Sequence, residues 1–156
     1  MNRLLLLVAG AAMVAGFSSI QGQTLSIITR KDLVAQLYKE HSGKSDPLQY
    51  PASKKLLQNY FHKALLDLYL KDQEDSKGEV GKIDFDPLYD AQDLQIKDFS
   101  LVVLNNKKDS GYVAARFKNM GVEQQVVFAL QSTKAGWRIA DIQYKDGRSL
   151  LKILKG

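Results

Sequence analysis

One boundary in the chain constrains its fold more than any other. At Ile96 the apolar residues stop recurring at helical spacing and begin to alternate, so a helical first half gives way to a β-rich second half. Upstream, Thr29 is placed to cap a first helix. Asp32 stands at the third position to answer the cap, and Ile28 and Leu33 can form a hydrophobic staple. Leu33, Val34, Leu37 and Tyr38 make one apolar face, Gly43 is placed to end the helix, and Pro47 and Pro51 mark a turn-rich connection. A second helix is expected from Ser53 onward, with Leu56, Leu57, Tyr60, Phe61, Ala64, Leu65, Leu68 and Tyr69 as its buried face. Leu66 and Leu70 fall on its opposite side and call for a second contact. The helix fades into the polar run 71–78.

Downstream, Phe99, Leu101 and Val103 share one face of a first strand. Residues 112–117 and 122–131 read as a hairpin turning at 118–121, and residues 137–144 pair back through 133–136. With four-residue loops, Phe117 faces Val122, Val113 faces Val126, Leu130 faces Ile139 and Phe128 faces Asp141. The expected core face then carries Val113, Ala115, Phe117, Val126, Phe128, Leu130, Trp137 and Ile139, covered by the helices. A one-residue slip would invert every side chain. The other face would show Val102, Leu104, Tyr112, Val127, Ala129, Ala140, Ile142 and Tyr144, interrupted by Arg116, Gln125 and Arg138. A second face this apolar is either an interface or a surface covered by a terminal segment. A short helix is expected from Ser149 to Leu154, and no internal repeat or low-complexity tract stands out.

Residues 1–22 read as a secretory signal peptide: Arg3 as cationic head, an apolar run from Leu4 to Phe17, and small residues from Gly16 to Gly22 as the exit. The run is shorter than a bilayer span, so cleavage is expected, followed by a single domain over 23–156 in the periplasm or medium, without a stable membrane anchor. The chain has no cysteine. That removes thiol nucleophiles, thiolate metal sites and disulfides, and leaves packing alone to hold the fold. The formal charge of +5 is spread over scattered lysines rather than gathered in a stripe, which argues against a nucleic-acid partner.

Three polar residues interrupt the expected core face: Gln124, Asp141 and Gln143. With Trp137 they form either the floor of a pocket, Asp141 being its acidic group, or an open sheet end where polar groups meet water. His41 extends the apolar face of the first helix, where it either answers the last helix carbonyls or contributes to a ligand site. His62 lies off the main face of the second helix, and the two histidines lack metal-ligand spacing. The segment 84–93 is the most distinctive. Asp84, Asp86, Asp90 and Asp93 could hold a hard cation, but the spacing is not that of an EF-hand loop, and aspartates equally cap turns. With Tyr89 and Gln92 they form a candidate partner-binding loop. No serine-nucleophile, Walker or dinucleotide motif is present.

Helices followed by strands that end in Trp137-Arg138-Ile139-Ala140-Asp141-Ile142 resemble the nuclear-transport-factor-2-like superfamily. More narrowly, Gly78-Glu79-Val80-Gly81-Lys82-Ile83-Asp84-Phe85-Asp86-Pro87-Leu88-Tyr89-Asp90-Ala91-Gln92-Asp93, with Phe117-Lys118-Asn119-Met120-Gly121 and Asp141-Ile142-Gln143-Tyr144, is similar to the exported bacterial family called domain of unknown function 3828. The resemblance implies an α+β cone, N-terminal helices packed on a curved antiparallel sheet, often dimeric and periplasmic. Enzymes of that superfamily use a pocket Asp–His pair, for which Asp141 and His41 are the candidates here, but a shared fold does not carry function.

The expectation is therefore a non-catalytic exported binding domain without cofactor or metal. It would work through the acidic loop and the outer sheet face on a protein partner, of immunity type for example, or on a second copy. The alternative is a small-molecule or enzymatic pocket built on Asp141.

Overall fold

The computed structural model describes residues 28–156; residues 1–22, expected to be a signal peptide, lie outside them. Helix α1 (Arg30–His41) begins as its sequence dictates. The Thr29 hydroxyl accepts from the Asp32 N–H, the Asp32 carboxylate accepts from the Thr29 N–H, and Leu33, Val34, Leu37 and Tyr38 are buried. Strands β1 (Ile96–Asn106), β2 (Ser110–Asn119), β3 (Val122–Thr133) and β4 (Gly136–Tyr144) form one antiparallel sheet in the order β1-β2-β3-β4. The helices pack on one face of it, and α4 (Leu150–Lys155) closes the core beside β4.

The expected curved cone is not what forms. The sheet is an open, flat meander, with helices laid on one side rather than wrapped by it. The physical reason lies in its connections and edges. Each strand turns directly into its sequence neighbour, and the β2–β3 turn needs only Met120 and Gly121, at φ 51° and 83°. The β4 edge is then sealed by non-strand backbone. His62 N–H donates to Ile139 O at 2.8 Å, Ile139 N–H donates to Tyr60 O at 2.7 Å, and Ser149 bridges Gln143.

That sealing also breaks the expected long second helix. It divides into α2 (Lys54–Leu57) and α3 (Lys63–Ser76), with Tyr60–His62 laid along the sheet edge. The apolar spacing runs through the break unchanged, so periodicity alone could not show it. Tyr60 and Phe61 are both about 2% exposed and enter the core from this extended stretch. His62, expected on a helix face, is the N-cap of α3.

The two-residue turn shifts the expected β2–β3 register by two, so Phe117 pairs with Gln124 and Val113 with Phe128. An even shift preserves faces, and Val113, Ala115, Phe117, Val126, Phe128 and Leu130 are buried as expected. In β4 the outcome differs. Leu130 pairs with Ile139 as expected, but Ala129 then pairs with Asp141, leaving Ala140 as the extra residue of a bulge. Every side chain beyond it changes face. Ile142 and Tyr144, expected outside, are 0% and 5% exposed in the core, and Asp141 and Gln143 leave it. The outer face is correspondingly less apolar than expected, and Arg116 hydrogen-bonds Gln125 across it at 3.0 Å.

Arg30, the first residue of α1, fastens the opposite end. Its guanidinium lies 3.7 Å from the Trp137 ring centroid and donates to Asn106 Oδ1 and to the carbonyls of Lys107 and Ser110 in the β1–β2 hairpin. Gly111 makes room for it, since a Cβ there would meet Arg30 Nε at 2.6 Å.

Candidate functional site

The sequence places His41 and Asp86 far apart; the fold brings them together. His41 is the last residue of α1. Its Nε2 lies 2.6 Å from Asp86 Oδ2 and its Nδ1 lies 3.0 Å from Asp46 Oδ1. The three side chains keep only 15–18% of their surface exposed. Burial alone would lower the imidazole's affinity for a proton. Hydrogen bonds that the ring donates to Asp86 and Asp46, and the charges of those carboxylates, outweigh it and push the pKa up to about 9. At neutral pH the ring is an imidazolium that donates at both nitrogens.

The two carboxylates belong to matching turns, Asp46-Pro47-Leu48 and Asp86-Pro87-Leu88. In each, the aspartate Oδ1 accepts from the leucine N–H two residues on, at 2.9 Å. In each, the leucine side chain is buried and its carbonyl accepts a tyrosine hydroxyl. Tyr69 donates to Leu48 O at 3.1 Å and Tyr38 to Leu88 O at 2.6 Å. One histidine thus clasps two copies of one turn. The recurrence of Asp-Pro-Leu was the signal available in the sequence, and helix periodicity conceals it because it lies in loops.

The remaining acidic-loop residues serve the same long connection. Asp90, in the left-handed region at φ 52°, pairs with Arg148 at 2.8 Å. Burial raises its carboxyl above the usual range, and Arg148 pulls it partly back. Gln92 donates to Asp84 O, the Asp93 carbonyl accepts from Asn119 Nδ2, and the Tyr89 ring meets Tyr38 and Phe117 edge-on. Tyr144, redirected inward by the bulge, donates to Pro87 O at 3.2 Å.

The five residues expected to share a pocket do not converge. Asp141 Oδ1 accepts from its neighbour Ile142 N–H and from Leu151 N–H, each at 2.9 Å, and so fastens the first turn of α4. Gln143 sits at the bridge to Ser149, Gln124 lies beside Lys145 near the β2–β3 turn, and Trp137 is under Arg30 at the far end. Only His41 joins the acidic loop. Among the described residues, no group of three or more His, Asp or Glu side chains is placed to hold a metal ion.

Beside the clasp lies an open cleft of about 270 Å³, lined by His41, Asp46 and Asp86 and by the turn Gly78–Gly81 and Tyr50. Among the described residues, no helix is long and apolar enough to cross a membrane.

No protein-family model and no curated protein matches the chain, which overturns the resemblance to domain of unknown function 3828 and, with the open sheet, to the nuclear-transport-factor-2-like superfamily. Among solved structures, the chain is similar to one in the type VI native effector–immunity complex Tae3–Tai3 from Ralstonia pickettii. That likeness has 16% identity over 76% of this chain and 96% of that one, with a TM-score of 0.48. It is also similar to the phospholipid-binding protein from Ralstonia solanacearum, at 12% identity over 78% of this chain and 68% of that one, with a TM-score of 0.36. Both likenesses are distant ones of shape.

Proposed function

We propose that this chain is an exported, non-catalytic binding domain whose partner surface is the pair of loops 42–53 and 77–95. The observation that carries the reading is the geometry at His41, whose Nε2 and Nδ1 each face a carboxylate, Asp86 at 2.6 Å and Asp46 at 3.0 Å. An imidazolium held by a carboxylate at each nitrogen has no lone pair to accept a substrate proton or bind a metal. What the clasp does is hold two loops in one arrangement, and a preorganised loop surface loses less entropy when a partner binds it. Export rests on the composition of residues 1–22.

Site-specific photo-crosslinking in intact cells tests this. A photo-reactive residue at Lys44 or Asp84, both exposed in the loops, should yield an adduct of one defined mass; the same residue at Lys108, in the β1–β2 turn, should yield none. Adducts from all three positions, from Lys108 alone, or from none would overturn the proposal. Identification of the adduct as a toxin would give the role its immunity-type form.

A further inference from the structure

The cleft beside the clasp has a lining that fastening the loops does not require. Besides the clasp residues, its walls carry Tyr50, Val80, Asp72 and Glu79. Tyr50 is 52% and Val80 77% exposed, so a ring and an aliphatic side chain stand at the lip with much of their surface uncovered. The charge is one-sided. Four carboxylates face one imidazolium, a net of three negative charges, in a chain whose formal charge is +5. Among the described residues no lysine or arginine lines the cleft, and the nearby Lys82 ammonium is turned away to donate to Leu154 O at 2.9 Å.

The backbone is shaped to this lining. At Gly81 a Cβ would stand 2.5 Å from Asp72 Oδ2, so glycine leaves that carboxylate room to accept from the Lys82 N–H, at 3.0 Å from Oδ1. Gly78, at φ +90°, brings its backbone under the Tyr50 ring, where a Cβ would lie 3.3 Å from Cε1.

Resting on the reading of these loops as the binding surface, we infer that the cleft receives a lysine or arginine side chain presented by a protein partner. The aliphatic stem lies along Val80 and Tyr50, and the cationic head reaches Asp72 and Glu79, with the Tyr50 ring adding cation–π attraction. The openness of the cleft suits a side chain delivered from a surface. A free small ligand is bound by enclosure of most of its own surface, which this cleft does not provide.

The test is a titration of the isotope-labelled protein, followed through the backbone amides of Gly78, Gly81 and Lys82. The probes are Nα-acetyl-lysine amide, its neutral analogue Nα-acetyl-norleucine amide, and cadaverine. Saturable shifts with the lysine probe, absent with norleucine, support the inference. Glu79→Gln, at an exposed position, should weaken the lysine probe about threefold, with Asp72→Asn as the second variant. Equal shifts with norleucine, an unchanged affinity in both variants, or no shifts at all would overturn it. Tighter binding of cadaverine than of the capped lysine would assign the site to free amines and overturn the protein partner. Adducts at Lys44 and Asp84 with a silent cleft would leave the binding reading standing and remove only the cationic side chain.

Discussion

Taking the proton from His41 should loosen the two Asp-Pro-Leu turns from each other, and pH gives direct control of that proton. The imidazole's pKa rises from 6.5 to about 9 on folding. That corresponds to about 3 kcal/mol of preference for the protonated ring in the folded state before screening by water. Water still reaches the site, and screening reduces the gain to about 2 kcal/mol. The folded value lies above the unfolded one, so this stabilisation is complete below about 6.5, declines between there and about 9, and is gone above. Urea unfolding of wild type and His41→Gln at about pH 6, 8 and 10 measures it, because glutamine has no charge to lose in that window. At an m-value of about 2 kcal/mol per molar, the wild-type midpoint should exceed the variant's by about 1 M at the lowest pH. The two should converge at the highest. A gap that stays constant across the range would refute the ion-paired clasp, since lost packing alone does not titrate.

Three further outcomes follow from single contacts. Tyr38→Phe leaves the Leu88 carbonyl without its hydroxyl donor in the core and should cost about 1 to 2 kcal/mol in thermal unfolding; an unchanged midpoint would show the bond to be dispensable. Asp141→Ala removes the acceptor of the Leu151 amide and should cost about 1 kcal/mol, with faster hydrogen exchange at that amide. Exchange as slow as in wild type would argue against the fastening of α4. Gly111→Ala should push the Arg30 guanidinium off Trp137, shifting the emission of the chain's one tryptophan and costing about 1 to 2 kcal/mol. Wild-type emission in a stable variant would place Arg30 elsewhere.

What could be read from the sequence was what local chemistry decides. The Thr29–Asp32 cap and the apolar face of α1 lie within a few residues of each other, and both formed. The core face of β2 and β3 survived a wrong loop length because a register error of two leaves side chains on their own face. Beyond Ala140 the same reasoning failed, since one additional residue in β4 reverses the parity of everything after it and alternation carries no mark of the insertion. The apparent polar floor of Asp141 and Gln143 and the apparent outer apolar pair Ile142 and Tyr144 were two sides of that one reversal. The curved cone failed for a related reason: strand order and edge coverage are long-range properties, and here the backbone of Tyr60–His62 takes the edge. The clasp joins residues 45 positions apart and had only the repeated Asp-Pro-Leu to announce it.

The two borders of the sheet are unlike. One is closed by the chain's own backbone; among the described residues the other, β1, has no neighbour beyond it and is broken by register shifts at Lys97/Ser100 and Val103/Asn105. Growth by adding strands needs two usable borders per molecule, one to accept and one to offer. With a single irregular border among the described residues, joining of that kind ends at a pair.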